Sequence, residues 1–457
     1  MAAGNYAGRP QHPPQWGTTR GLGTVAAGAR TQGGEAVLRR AGLLVGFTVT
    51  AVGLALGITG HVRAGGLALA PAIARDPLHL MAQVQVFAGC PALMVTLLWA
   101  ALANGSPSIQ RIRAYLSSAI VLCALSPPVR IAVNWAIVTG RIPDHFALLP
   151  ALADGATAVF FVLVVFPLSG KTAVGLSGRL MLRSSCWWLI GAAGAQLVCT
   201  GARVFLDHPA MLWFLERPYI EAALLGFVLL SGLGLMLATL PMVALNRNLI
   251  QSLLRSHQTL NALVFGWAVL QAWSLRYPGS YQSLALALIG FGIIACVAVI
   301  AANSGLVARW QSLPTDYGDQ AGRRTEVALI STAIGFMLLA GALFAITAFV
   351  SAATRTAPAG ALAAVVLSLA VGMVSVVTVA VARGVCDWSA RLAMAGVFAV
   401  VFGVATASLL WMLSIVVERP LDPMIGAAEA LAGLGLLVLG VTSAVGCGTE
   451  VAGGGEA

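Results

Sequence analysis

Long apolar stretches separated by short polar ones follow each other along the chain after residue 38. Each stretch has about 20 residues, the length that an α-helix needs to cross the hydrocarbon core of a bilayer. The alternating segments of about ten residues that build membrane β-barrels do not occur. The pattern therefore predicts an all-α integral membrane protein with twelve transmembrane helices, at residues 41–60, 80–103, 114–138, 147–168, 186–206, 219–245, 259–275, 282–306, 327–352, 359–382, 391–416 and 423–446.

Prolines and polar tails modify this pattern in two places. Pro127 and Pro128 lie inside the third stretch and predict a kink or a break, because proline has no backbone N–H to donate. Residues 1–38 are rich in Gly, Ala, Pro and Arg and are too polar to form a core. We therefore expect a disordered basic cytoplasmic tail over residues 1–38, the transmembrane domain over 39–448, and a short flexible cytoplasmic tail over 449–457.

The composition excludes several classes of protein. Hydrophobic residues make up 59% of the chain and charged residues only 9%, whereas about a quarter of an ordinary globular domain is charged. A soluble protein needs polar cover for its surface, so a soluble enzyme, a secreted disulfide scaffold and a nucleic-acid-binding domain are all excluded. The expected surroundings are the lipid bilayer, with no nucleic-acid partner.

The basic residues indicate the orientation of the chain in the membrane. The formal net charge is +10, and in the predicted topology 17 of the 26 basic residues lie on the side of the N-terminus. Basic residues are enriched in cytoplasmic loops. The sequence therefore predicts a multi-pass protein of the cell (inner) membrane with both termini in the cytoplasm, and this topology accounts for the positive charge.

A repeat of 138 residues is visible in the apolar stretches. Residues 83–96, 221–234 and 359–372 align at this spacing, and each segment places two small residues eight positions apart. Eight residues is close to two helical turns, so both small residues lie on one helix face and permit close packing. The sequence thus predicts three quasi-repeats of four helices. The pairs are Ala88 with Thr96, Gly226 with Gly234, and Ala364 with Gly372.

These residues resemble a known family. Residues 221–228 (EAALLGFV), with Gly234 and residues 239–241 (TLP), resemble the sixth-helix pattern of NnrS-type proteins, which share the architecture of heme-copper oxidase subunit I. Ala238 stands where that pattern usually has arginine. The resemblance implies a twelve-helix fold of three four-helix units and a function related to haem, copper or nitric oxide.

The chain departs from this family in its metal ligands. Heme-copper oxidases hold their metals with histidines on helices two, six, seven and ten, but this chain has six histidines in all and none in the tenth helix. The sixth helix has Arg217 and Glu221 but no histidine, and Gln83 stands where the second helix of the family tends to carry one. A complete haem–copper centre cannot be assembled, so we expect a reduced cofactor, haem b or copper, or none, and no enzyme activity.

Two groups of residues are candidates for binding a cofactor or metal. His79, at the start of the second helix, with Gln83 and Glu221 forms the candidate haem site; the alternative is an interfacial histidine that faces water. Imidazole together with carboxylate suits zinc or copper, but polar residues collect in loops in any membrane protein. The candidate metal ligands in the loops of the same side are Asp144, His145, Asp207 and His208.

Ionisable side chains inside the apolar stretches are a third group. Because charges are costly in lipid, each is a candidate for a buried ion or proton path. The pairs Arg130–Asp154 and Arg203–Glu221 would neutralise each other, and Arg217 and Glu221 share a helix face. The alternative is a set of structural ion pairs that hold helices together. The path residues are Arg130, Asn134, Asp154, Arg203 and Arg217, with Glu221 and Glu429 as further buried acids.

Three functions remain open from the sequence. The first is an NnrS-like, oxidase-like membrane protein with a depleted ligand set. The second is a secondary transporter of a small solute or of a proton-coupled substrate, with the buried charges as its polar path. The third is a non-catalytic structural subunit that assembles with other respiratory-chain membrane subunits. Transporters are usually built from inverted repeats or from two halves, so three four-helix units favour the first over the second.

Overall fold

The computed structural model describes residues 32–64, 76–102, 109–170, 176–205, 213–239, 247–277, 279–304, 320–354, 361–382, 390–417 and 421–446. These ranges contain twelve long helices and no strand, which confirms the all-α prediction. The helices are α1 (Gln32–Ala64), α2 (Pro77–Val84, Gln85–Gly89 and Cys90–Leu102), α3 (Ile109–Val138), α4 (Leu148–Ser169), α5 (Leu176–Phe205), α6 (Trp213–Ala223, Leu224–Val228 and Leu229–Thr239), α7 (Arg247–Arg276), α8 (Ser280–Asn303), α9 (Gln320–Thr354), α10 (Ala361–Val366, Leu367–Met373 and Val374–Ala382), α11 (Ala390–Val417) and α12 (Asp422–Gly446).

Eleven of these helices are long and apolar enough to cross a membrane. The exception is α7, because its first turns carry polar residues such as Gln251, Arg255 and Gln258. The later turns of α7 resemble the other helices and expose Phe265 and Val269 on the surface of the bundle. The chain is therefore a polytopic helical membrane protein, with eleven clear spans and a twelfth helix that is polar at one end.

The structure differs from the sequence predictions at two places. The first helix begins at Gln32, inside the predicted tail, while residues 1–31 and 447–457 lie outside the described residues. Of the kink or break predicted at Pro127 and Pro128, a break is excluded, since α3 continues through both prolines. Ser126 and Arg130, which stand on either side of the two prolines, both bind Asp154 of α4. These contacts fix both sides of the prolines to one neighbouring helix, which offsets the lost backbone hydrogen bonds.

Three inner helices form the centre of the bundle. In the membrane-spanning parts of α2, α6 and α10, 89%, 100% and 100% of the residues are buried, against 28–61% in the other eight spans. Each inner helix contains one stretch of wider π-helical turn, which begins at residues 85, 224 and 367 respectively. The π stretches of α2 and α6 both contact that of α10. This spacing, close to 138 residues, supports three four-helix units in which the second helix is the inner one.

The small residues of the repeat face the first helix of their own unit. In each unit a glycine at this contact lets the neighbouring helix come close. A Cβ atom added to that glycine would lie only 2.1–3.0 Å from an atom of the residue it faces. Close approach of this kind drives helix association in lipid, where helices gain little from the hydrophobic effect. The repeat therefore has a packing role in all three units. The pairs are Gly42 with Thr96, Gly234 with Leu182, and Gly372 with Phe336.

Among the described glycines, those between α11 and α12 lie closest to backbone atoms of the neighbouring helix. A Cβ atom on Gly403 would lie 2.6 Å from the carbonyl oxygen of Ala428, and one on Gly435 would lie 2.6 Å from the carbonyl oxygen of Gly396. Backbone atoms cannot rotate away as side chains can. The two helices can therefore keep this distance only with glycine at both positions.

We predict that Gly403→Ala lowers the free energy of unfolding by about 1–3 kcal/mol, the usual cost of overpacking a core. Gly335→Ala is the matched control, because no atom outside its own helix lies within 4 Å of the added methyl group. Thermal unfolding of the purified protein in detergent, followed by tryptophan fluorescence, measures both variants. Equal midpoints for the two would contradict the close contact.

Candidate functional site

Most of the polar side chains singled out by the sequence meet at one end of the bundle. Successive helices that cross a membrane run in opposite directions, so α1, α3 and α5 end where α2, α4 and α6 begin. We call this the distal end of the bundle, opposite to the end at which α1 starts. His79, Arg130, Asp154 and Tyr219 all lie within its half of their helices.

His79 is positioned by the first turn of α2. Asp76 caps this helix, because its carboxylate accepts a hydrogen bond from the backbone N–H of His79 over 3.0 Å. The Nε2 atom of His79 lies 3.1 Å from the amide nitrogen of Gln83, one turn later. The ring of Tyr219 meets the imidazole edge to face, with 6.3 Å between the ring centroids. His79 is therefore half-buried against two protein side chains.

Gln83 joins three helices through its amide group. Its nitrogen donates to the hydroxyl of Tyr219 on α6 over 2.9 Å. Its oxygen accepts a hydrogen bond of 2.7 Å from Nη1 of Arg130 on α3. Because a glutamine offers both a donor and an acceptor, one side chain connects the imidazole, the phenol and the guanidinium.

Arg130 and Asp154 form the charged centre of this network, and both are buried. Nη2 of Arg130 binds Oδ2 of Asp154 and lies 3.3 Å from the carbonyl oxygen of Pro150. The hydroxyl of Ser126 donates to the other carboxylate oxygen over 3.0 Å. The pair proposed from the sequence is thus present, and we refer to His79, Gln83, Ser126, Arg130, Asp154 and Tyr219 as the distal network.

Two further path residues have different positions. Asn134 donates to the carbonyl oxygen of Arg130 over 2.9 Å, so its amide is bound to its own helix. Arg203, near the end of α5, lies close enough for its charge to act on both His79 and Tyr219. Arg203 therefore stands at the edge of the distal network.

Glu221 occupies a second polar site, between α6 and α7. One of its oxygens lies 2.6 Å from Nε of Arg217, one turn earlier, and the other accepts a hydrogen bond of 2.8 Å from the indole of Trp267. Helix geometry predicts the contact with Arg217, whereas Trp267 was not a candidate from the sequence. Glu221 is thus satisfied by one charged and one neutral donor.

The two polar sites repeat each other along the chain. His79 and Gln83 of α2 correspond to Arg217 and Glu221 of α6 at the 138-residue spacing. In each unit the second helix also receives a hydrogen bond from the third, from Arg130 in the first unit and from Trp267 in the second. At this spacing Arg130 corresponds to Ala268, so the repeat indicated the turn of α7 that contains Trp267 but not the residue itself.

The loop residues predicted to bind zinc or copper have few contacts. Asp144 and His145 lie in the short turn Asp144–Ala147 that precedes α4, both are exposed, and the His145 ring stacks on Phe146. Asp207 and His208 lie outside the described residues. Within the described ranges, no three His, Cys, Asp or Glu side chains come close enough to hold a metal ion.

The residues around His79 do not fit a haem–copper centre. No histidine occurs beyond residue 257, so α10 cannot supply the second axial ligand that the family uses. The Nε2 atom of His79, which would bind iron, is taken by the amide of Gln83, and Tyr219 packs against the ring. Gln83 and Glu221 are engaged with Arg130 and Arg217, so neither offers a free ligand.

We predict that the purified protein has no Soret band, with or without dithionite, and that His79→Ala leaves the absorption spectrum unchanged. The physical reason is that the imidazole is bound to Gln83 and packed on Tyr219. Optical spectra of both proteins, together with a metal analysis, test this. A Soret band that disappears in His79→Ala would contradict our assignment of the site.

We also predict that Asp154→Asn lowers the free energy of unfolding by about 3–5 kcal/mol, because it leaves the buried charge of Arg130 without its counter-ion. The double variant Arg130→Met/Asp154→Leu should regain much of this loss, since it removes both charges. Equilibrium unfolding in detergent measures the cycle. A single-variant loss within about 1 kcal/mol, as for an exposed ion pair, would show that the pair is not buried.

Comparison of the chain with protein families and with curated proteins found no match. No protein-family model matches the chain, and no curated protein matches it. The resemblance to NnrS-type proteins therefore rests on the residues of the sixth helix and on the three-unit plan. What the protein does has to be argued from the distal network.

Proposed function

We propose that this polytopic membrane protein moves a proton together with a small anion through the distal network, on a twelve-helix scaffold like that of NnrS-type proteins. The observation that carries the proposal is the buried ion pair of Arg130 and Asp154, which Gln83 connects to Tyr219 and His79. The proposal combines the scaffold of the first function considered from the sequence, an NnrS-like protein, with the activity of the second, a secondary transporter.

The energetics of the ion pair support a functional role. A buried pair is usually no more stabilising than apolar residues of the same size, because both charges lose their hydration. Apolar residues would therefore hold α3 and α4 together at least as well. Ionisable groups inside membrane proteins commonly mark ion or proton paths. A charge pair with three hydrogen-bonding neighbours, one each from α2, α3 and α4, is what such a path needs.

The geometry also suggests how proton and anion would be coupled. When Asp154 takes up a proton, it becomes neutral and no longer balances the charge of Arg130. A small anion can then take the place of the carboxylate at the guanidinium, whose planar set of donors suits oxyanions. Release of the proton restores the Asp154–Arg130 pair and expels the anion. Proton and anion would thus enter and leave together.

The charge distribution of the chain gives the proposed direction of access. Because most basic residues lie on the side of the N-terminus, the distal end would face away from the cytoplasm. His79 and Arg203 stand at that end of the distal network, so substrates would arrive there from outside the cell membrane.

The second candidate is the haem-, copper- or nitric-oxide-related function that the resemblance implies. The three inner helices, one for each four-helix unit, favour it, because this is the plan of heme-copper oxidase subunit I. The absorption spectrum distinguishes the two candidates. A protein with neither a cofactor nor transport activity would fit the third, a structural subunit of a respiratory membrane complex.

Transport by purified protein in lipid vesicles tests the proposal. Vesicles that contain a pH-sensitive dye are given inward gradients of chloride, nitrate or phosphate, and we expect anion-dependent proton entry. Asp154→Asn should reduce proton entry to the level of protein-free vesicles, since the amide cannot take up the proton. Arg130→Gln should abolish the anion dependence.

The matched control is Arg141→Gln, which removes an exposed arginine just beyond the end of the same helix, where it stacks on Trp135. This variant should transport like the unchanged protein. Correct folding of each variant is checked by size-exclusion chromatography before reconstitution. Proton entry that is equal in Asp154→Asn and the unchanged protein would refute the proposal.

A further inference from the structure

A third group of polar residues lies where α1 ends and α12 begins. It is separate from the distal network and from the Glu221 site. Nδ1 of His61 is 2.9 Å from Oδ1 of Asp422, and Nε2 of His61 is 3.3 Å from Oε1 of Glu429. The exposed fractions of the Asp422, His61 and Glu429 side chains are 24%, 3% and 0%. The three groups thus form a line from the surface into the bundle.

The inner end of this line is a buried carboxyl group that lacks donors. Neither oxygen of Glu429 has a hydrogen-bond partner among the described residues, and the 3.3 Å approach of His61 is not aligned as a hydrogen bond. Gly57 of α1 and Met81 of α2 form the wall, since a Cβ on Gly57 would lie 3.0 Å from Oε2 of Glu429 and 2.5 Å from the sulfur of Met81. An ionised carboxylate is costly in such surroundings.

The other charged side chains that the structure describes on the neighbouring helices are directed elsewhere. On α2, Asp76 caps the helix and His79 contacts Gln83. On α1, the charged residues whose side chains the structure describes are Glu35, Arg39 and Arg40, which lie at the opposite end of the helix, as Arg391 does on α11. Arg63 stands in the last turn of α1, two residues after His61, and its side chain is outside the described part of the structure. His61 is therefore the group positioned to exchange a proton with Glu429.

A metal ion does not fit this arrangement. The two nitrogens of an imidazole point away from each other, and here each faces a different carboxyl group. One cation cannot bind both acids and the ring at the same time. The described part of the chain also contains no three potential metal ligands that come together.

We propose that His61 and Glu429 form a proton-binding site that is filled from the distal surface through Asp422. A hydronium ion at the surface gives a proton to Asp422 and leaves as water. Asp422 passes this proton to Nδ1 of His61, and Nε2 gives its own proton to Oε1 of Glu429 once the ring and the carboxyl group turn into line across the 3.3 Å between them. One proton has then moved from water to Glu429, Asp422 is again ionised, and the imidazole is neutral with its proton on Nδ1. This site uses no residue of the proposed transport path.

Infrared spectroscopy of the purified protein in a lipid film tests this site. The carbonyl stretch of a protonated carboxylic acid is separate from the carboxylate bands, so a protonated Glu429 should give a band that disappears in Glu429→Gln. Asp144→Asn, which removes an exposed acid at the same end, is the control and should leave the band unchanged. A film titrated from acid to alkaline pH with no band lost in Glu429→Gln would overturn the proposal.

The route of the proton is tested by exchange into D₂O, which shifts the same band. His61→Gln should slow this exchange by about a hundredfold, the lower range of what a positioned proton donor contributes. Asp422→Asn should slow it as well, because the amide still accepts from Nδ1 but cannot pass on a proton. Since Asp422 is partly exposed, this variant carries the test if His61→Gln does not fold. Unchanged exchange in Asp422→Asn would exclude the route.

Discussion

The absence of water from the bilayer interior is the constraint on which the rest of this structure depends. Every backbone polar group in the bilayer interior has to find its partner within the protein, and a buried side chain that finds none is costly. Helices satisfy the backbone, and the few polar side chains inside the bundle collect into small groups. Charged residues make up only 9% of the chain. Those buried as ion pairs lose their hydration, which costs free energy. This is why the Arg130–Asp154 pair has three hydrogen-bonding neighbours, and the Glu221–Arg217 pair is joined by the indole of Trp267.

The three inner helices determine where these polar groups can lie. Because helices in lipid associate through close packing, α2, α6 and α10 approach each other and the first helix of their own unit through small residues. Their spans are 89–100% buried and largely apolar, so the centre of the bundle is closed. The Glu221 site therefore lies between α6 and the third helix of its own unit, and the distal network lies between α2, α3 and α4, with Tyr219 contributed by the inner helix of the second unit.

The repeated framework holds different chemistry in different units. Gln83 and Glu221 occupy equivalent positions, but one binds the guanidinium of Arg130 and the other the indole of Trp267. The first unit thus has a cation whose counter-ion, Asp154, lies on the next helix. The second unit has an acid paired to its own helix through Arg217. An ion pair between two helices can be broken when its acid takes up a proton. We therefore place the proposed activity in the first unit.

The sequence by itself determined the class of protein, the helix number, the repeat and the contact of Arg217 with Glu221, because hydropathy and helical periodicity act over neighbouring residues. It also indicated Arg130 with Asp154, since two opposite charges in lipid need each other. Only the tertiary structure decided that Gln83 joins Arg130 to Tyr219, that α3 continues through Pro127 and Pro128, and that His61 lies between Asp422 and Glu429. His61 and Asp422 are 361 residues apart, and such a contact depends on how the first and last helices pack, which no local pattern contains.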